Sequence, residues 1–172
     1  MFTERTVIFT NESDRDRRRN LSGGCAIKIT ETDQRGTTEI MYRILLVDDE
    51  ILVRDAIREN IDWKAMDCEL VGDCDNGKAA AEFVQNHPVD IVLTDILMPY
   101  MDGMELSRFL HDNYPDIVIV IFSGFGEFEY AKKAIQYGVS EYMLKPVTAM
   151  ELRNVIGKMK EKVDQQRKEK EK

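Results

Sequence analysis

Three cysteines, two histidines and one tryptophan in 172 residues leave little material for several common chemistries. Cys25, Cys68 and Cys74 are an odd set without C-x-x-C spacing, which speaks against a disulfide scaffold and against a zinc site. They read as small core residues in a reducing compartment. Long apolar runs are missing too. The longest, Ile117–Phe122, has six residues, far below the ~20 that span a bilayer. No apolar stretch of the signal-peptide kind opens the chain, where Arg15–Arg19 is all charged. A cytoplasmic protein without a membrane partner is expected. A basic surplus is also lacking. Formal charge is −8, from 24 Lys+Arg against 32 Asp+Glu, which argues against a surface built to coat nucleic acid.

The charge that is present is unevenly placed. Residues 1–40 hold 7 basic and 7 acidic side chains, residues 41–157 hold 10 and 21, and residues 158–172 hold 7 and 4. Only the middle zone has the charged fraction of an ordinary globular domain. Residues 1–40 are therefore read as an N-terminal extension, disordered or weakly docked, with β-like runs only at Val7–Phe9 and Ala26–Ile29. Residues 41–160 form the domain. Residues 161–172 form a charged helical tail. After Val163 that tail has no apolar residue, so Asp164–Lys172 is expected to be solvated or to begin a linker.

Within the domain, strand and helix patterns alternate five times. Strand-like runs are Arg43–Val47, Glu69–Gly72, Ile91–Thr94, Ile117–Phe122 and Glu141–Leu144. Three of them are unbroken Val/Ile/Leu runs, the mark of strands buried on both faces of a parallel sheet. The first helix carries Val53, Ala56, Ile57 and Ile61 on one face, with Arg54, Asp55, Arg58 and Glu59 on the other. Asn76 and Asp102 are placed to cap the second and third helices. The fourth runs from about Glu127 to Tyr137 and stops at Gly138, with Glu129 and Lys133 spaced as an i,i+4 pair. Thr148-x-x-Glu151 is a capping box for the fifth, which carries Leu152, Val155, Ile156, Met159 and Val163 on one stripe. Five β-α units with right-handed crossovers predict an α/β doubly wound sheet.

Polar residues follow four of the strands. Asp48, Asp49 and Glu50 follow the first, Asp95 the third, Ser123 the fourth and Lys145 the fifth. In a parallel sheet these positions share the carboxyl edge, where such folds build ligand sites. Singly, each is commonplace: a helix cap, a turn, a loop. Together they make coherent chemistry. Crowded carboxylates repel unless a cation is present, and Mg²⁺ suits hard oxygen ligands completed by water and substrate. A lysine and a hydroxyl beside a carboxylate suit phosphoryl transfer onto that carboxylate.

Ile44-Leu-Leu-Val-Asp48-Asp49-Glu50, Asp90-Ile-Val-Leu-Thr-Asp95-Ile-Leu-Met98-Pro99-Tyr-Met-Asp102-Gly103, Ser123-Gly124 and Lys145-Pro146 resemble the receiver domain of bacterial two-component response regulators. The resemblance implies a flavodoxin-like five-stranded parallel sheet of order 2-1-3-4-5 with five helices. It implies Asp95 as phosphoacceptor, taking the group from a sensor histidine kinase. It also implies Asp48, Asp49, Asp95 and the backbone carbonyl of Leu97 as the protein's share of a Mg²⁺ shell. Lys145 and Ser123 would contact the phosphoryl group. Ser123 and Tyr142 would be the switch pair, and Pro146 would follow a cis peptide.

Asp62-Trp63 and Gly124-Phe-Gly-Glu-Phe-Glu-Tyr-Ala-Lys-Lys-Ala resemble the branch whose output is an AraC-type helix-turn-helix domain. Phosphorylation would bias the face of the fourth helix, fifth strand and fifth helix, whose charges, Arg153 among them, are open to a homodimer, to an output domain or to plain solvation. The resemblance further implies DNA contact only through an output domain beyond the tail, and a chain cut after its receiver is the expected reason that none follows. The competing reading is a Mg²⁺-dependent phosphohydrolase with an aspartate nucleophile. Such enzymes place a second Asp two residues after the first, where this chain has Leu97.

Overall fold

The Val, Ile and Leu runs pair as a parallel sheet because their side chains are apolar on both faces. The computed structural model of the chain describes residues 26–27, 41–124 and 128–172. Its strands are β1 Tyr42–Val47, β2 Cys68–Cys74, β3 Ile91–Asp95, β4 Val118–Ser123 and β5 Glu141–Leu144, in the order β2-β1-β3-β4-β5. All four neighbouring pairs are parallel. The helices are α1 Ile51–Asn60, α2 Gly77–Asn86, α3 Gly103–Asn113, α4 Phe128–Gln136 and α5 Ala149–Lys170. This is the doubly wound, flavodoxin-like architecture that the strand–helix alternation predicts.

The pleat sorts alternate strand residues into two cores. Ile44, Leu46, Ile91, Leu93, Val118, Val120 and Phe122 face the stripe of α5, where Leu152, Ile156, Met159 and Val163 are buried. Leu45, Val47, Val92, Ile119 and Ile121 face α2 and α3, with Phe83, Val84, Leu106 and Leu110. Helix ends follow local chemistry. Asn76 accepts from Ala79 N–H, and both Asp102/Glu105 and Thr148/Glu151 close capping boxes. Gly138, with φ +68°, ends the α4 turn in the left-handed region that glycine adopts freely.

Several expectations change. Ala26–Ile27 adds a short antiparallel strand at the edge of β2, opposite Asp73 and Gly72, so the sheet has a sixth member. An uncovered β2 edge offers a row of backbone donors and acceptors, which this β-like segment satisfies. Expectations for Val7–Phe9 and Arg15–Arg19 lie outside the described residues. Cys68 is a buried free thiol, whereas Cys74 is disulfide-bonded, which corrects the reading of three reduced core cysteines. On α4 the close ion pair of Glu129 is with Lys132 at 3.9 Å, one position earlier than expected.

Helix α1 buries no residue fully, and Ala56 is exposed rather than core-facing. Its arginines hold it instead, as described below. The end of α5 is docked too. Tyr42 OH lies 2.7 Å from both carboxylate oxygens of Asp164. Arg167 donates to Asp90 at 2.9 Å, and Asp90 also takes two bonds from the Arg43 guanidinium. Lys170 pairs with Asp116. Asp164–Lys172 stays largely exposed, as a solvated tail would, yet Asp164, Arg167 and Lys170 tie it back to the domain. Its polar side chains find charged partners around the amino ends of β1, β3 and β4, where no apolar contact is needed. No helix among the described residues is long and apolar enough to cross a membrane.

Candidate functional site

Parallel strands deliver the expected polar residues to one edge. Asp48 and Asp49 leave β1, Asp95 ends β3, Ser123 ends β4 and Lys145 leaves β5. Carboxylate oxygens of Asp48, Asp49 and Asp95 lie within 4.8 Å of one another. Asp48 is wholly buried, Asp95 nearly so, and Asp49 exposed. Each buried carboxylate is oriented by its neighbours. One Asp48 oxygen accepts Glu50 N–H at 2.9 Å, and the other accepts Lys145 Nζ at 2.9 Å. One Asp95 oxygen accepts Ile96 N–H at 2.8 Å, and the other faces Lys145 Nζ at 3.3 Å.

The electrostatics follow from that crowding. Burial pushes the Asp95 carboxyl up. The Lys145 charge pulls it down and the Asp48 charge raises it again, leaving it above the ordinary carboxylate value. Burial alone would lower Lys145. The bond and charge of Asp48 and the charge of Asp95 outweigh it, so the ammonium is held above its usual value. Three hard-oxygen ligands this close, two of them buried, fit a divalent cation of the Mg²⁺ kind.

The surrounding backbone is fixed by close approach. Gly103 N–H donates to Ile96 O at 2.7 Å, and a Cβ on Gly103 would lie 1.9 Å from the Asp95 carbonyl oxygen. Only glycine fits, so the start of α3 packs directly on the Asp95 loop. Leu97 and Tyr100 are exposed in that loop, and Tyr100 has φ +67°. Across the edge, Tyr142 OH donates to Ser123 Oγ at 2.6 Å, and Ser123 Oγ donates to Gly124 O at 3.0 Å. Tyr142 is thus already turned toward Ser123. Lys145 N–H donates to Ser123 O at 2.7 Å, and the Lys145–Pro146 peptide is cis.

Two residues beside the site escape the sequence patterns. Arg54, on the polar face of α1, reaches inward. Its Nη1 donates to Asp48 O at 2.6 Å and its Nε to Asp73 at 2.9 Å. Asp73, in β2, is buried. Amphipathic spacing assigns Arg54 to solvent, and the strand-like run Glu69–Gly72 stops short of Asp73. A clue was available in Asp73 itself, a carboxylate between Gly72 and Cys74 at the carboxyl end of the strand, which when buried calls for a cation.

Residues 44–157 match the response regulator receiver domain family. The transcriptional regulatory protein YesN of Bacillus subtilis is 42% identical over 112 residues, covering 65% of this chain and 30% of that protein. HptR of Staphylococcus aureus, a transcriptional regulatory protein, is 30% identical over 119 residues, covering 69% of this chain and 46% of HptR. The chain thus spans less than half the length of these curated relatives. Among solved structures, the receiver domain of the response regulator AraT from Geobacillus stearothermophilus superposes with a TM-score of 0.70 at 37% identity. It covers 74% of this chain and 99% of that one. A two-component transcriptional regulator AraC from Clostridium phytofermentans gives 0.67 at 37% identity, covering 72% and 96%.

Proposed function

Because the chain belongs to the response regulator receiver domain family, we propose that Asp95 accepts a phosphoryl group from the phosphohistidine of a sensor kinase. The observation that carries this reading is the cluster of Asp48, Asp49 and Asp95 with Lys145 set between two of its carboxylates. An Asp95 carboxylate oxygen forms the new bond to phosphorus as the bond to the histidine nitrogen breaks. The Lys145 ammonium, released in part from Asp48 and Asp95, meets the incoming negative charge. Asp48, Asp49, Asp95 and the Leu97 carbonyl would hold Mg²⁺, which when bound offsets carboxylate repulsion and polarises phosphoryl oxygens.

The Ser123 hydroxyl can turn from Gly124 O to a phosphoryl oxygen. Tyr142, bonded to Ser123 Oγ, would follow that change into β5. The switch then biases the face of α4, β5 and α5 between two arrangements. That face serves either a homodimer or an output domain, read here as a DNA-binding one in the cytoplasm, and relatives named as transcriptional regulatory proteins support transcriptional output. The chain turns over only its own phosphoryl group. It is a signalling module rather than a metabolic enzyme.

Intact mass tests this after incubation with Mg²⁺ and acetyl phosphate. One phosphoryl adduct is expected, absent from Asp95→Asn. Sustained phosphate release without an adduct would instead favour an aspartate-nucleophile hydrolase.

A further inference from the structure

Packing alone does not fix α1, since none of its residues is fully buried. Two guanidinium groups hold it instead, and both converge on Asp73. Arg54 Nε takes one Asp73 oxygen at 2.9 Å, and Arg58 Nη2 takes the other at 2.6 Å. Arg54 and Asp73 side chains are only 11% and 9% exposed, so the pair is dry enough to be strong and directional.

The same Arg54 has a second contact, Nη1 to the backbone oxygen of Asp48 at 2.6 Å. The Asp48 N–H is meanwhile held by Cys74 O at 3.0 Å. Asp73 and Cys74 sit in register with Leu46 and Val47 of β1. The Asp48 backbone is therefore gripped from both sides by the carboxyl end of β2, through a strand bond at nitrogen and a guanidinium at oxygen. Its carbonyl belongs to the peptide joining Asp48 to Asp49, the two acidic residues that leave β1 for the site. Turning that peptide would turn both carboxylates.

We propose that Arg54, anchored by Asp73, is a positioning residue that fixes the Asp48–Asp49 peptide and so sets the affinity of the acidic pocket for a divalent cation. The inference rests on the receiver reading, in which Asp48 and Asp49 hold Mg²⁺. Outer partners that orient metal ligands commonly change metal affinity by about 10–100-fold when removed. Lysine is a poor substitute here. A point charge cannot reach a carbonyl and a carboxylate at once as the planar guanidinium fork does.

The test uses the full chain and titrates Mg²⁺ calorimetrically, beside the rate of phosphoryl adduct formation from acetyl phosphate across Mg²⁺ concentrations. Arg54→Met is expected to raise the Mg²⁺ half-saturation about tenfold. Most of the adduct rate should return at saturating Mg²⁺. Arg54→Lys should not restore the affinity, and Asp73→Asn should weaken it in the same direction. A purely structural ion pair would lower melting temperature and leave half-saturation alone. Folded Arg54→Met and Asp73→Asn proteins with wild-type half-saturation would overturn the proposal. Where Arg54→Met fails to fold, the titrations of Arg54→Lys and Asp73→Asn decide it. A wild-type chain that binds Mg²⁺ but takes no phosphoryl group sinks the receiver reading and leaves the brace to be judged by the titrations. A wild-type chain that binds no Mg²⁺ overturns both.

Discussion

A methyl group on Gly103 would sit 1.9 Å from the carbonyl oxygen of Asp95, inside any possible contact distance. Gly103→Ala must therefore push α3 away from the Asp95 loop. A cost of about 1–3 kcal/mol is expected in chemical denaturation, with slower adduct formation at Asp95. Asp95 itself illustrates the opposite sign. Its carboxyl is raised in the fold by burial and by Asp48, so its ionisation opposes folding. That contribution is favourable below the unfolded carboxylate value and is lost as pH rises through the folded one. At pH 7 without divalent cations, Asp95→Asn should melt higher than wild type, and added Mg²⁺ should narrow the gap. Both residues were legible in the sequence because each stands within the Asp90–Gly103 motif, Asp95 at a strand end and Gly103 at the helix start that follows. Arg54 was not. A helical-wheel pattern treats a polar face as a wet face, and the partner that dries this one lies in another element.

Helices α1 and α5 show the same limit at larger scale. The apolar stripe of α5 from Leu152 to Val163 follows directly from periodicity. Its last two turns do not, because Asp164, Arg167 and Lys170 are held by Tyr42, Asp90 and Asp116, distant in sequence. Asp90 joins this helix end to β1. Burial would raise its carboxyl, but bonds and charge from Arg43, with the charge of Arg167, outweigh that and hold it below the usual value. A lowered carboxyl stabilises the fold above its unfolded value of about 3.9, and the contribution is lost as pH falls through the folded one. The end of α5 should thus hold at neutrality and loosen as pH falls into the range where Asp90 takes up its proton. Hydrogen exchange over residues 164–170 is the measurement. It should quicken in Arg167→Gln at pH 7, while adduct formation at Asp95 stays within about twofold. The expected cost in global stability is small, about 1 kcal/mol, because Arg167 is partly exposed.

Across the molecule, one sheet separates two tasks. Its carboxyl edge gathers the acidic pocket, and its amino edge holds the charged clasp on α5. Direction of the strands alone decides this, which is why alternating β and α patterns sufficed to place Asp48, Asp95, Ser123 and Lys145 together. The extra edge strand at Ala26–Ile27 was not placed, because a two-residue pairing is too short a pattern to name its partner. Trp63 joins the two halves of this picture. It is buried in the cluster that also contains Tyr42, Met159 and Val163, beneath the docked length of α5. Since the chain has one tryptophan, its emission is an intrinsic optical gauge of that cluster. Blue-shifted fluorescence is expected from the native chain, moving red when α5 lifts. On heating, the shift should coincide with loss of far-ultraviolet dichroism if the helix and sheet melt as one. The molecule thus reports on the docking of α5 without any label attached.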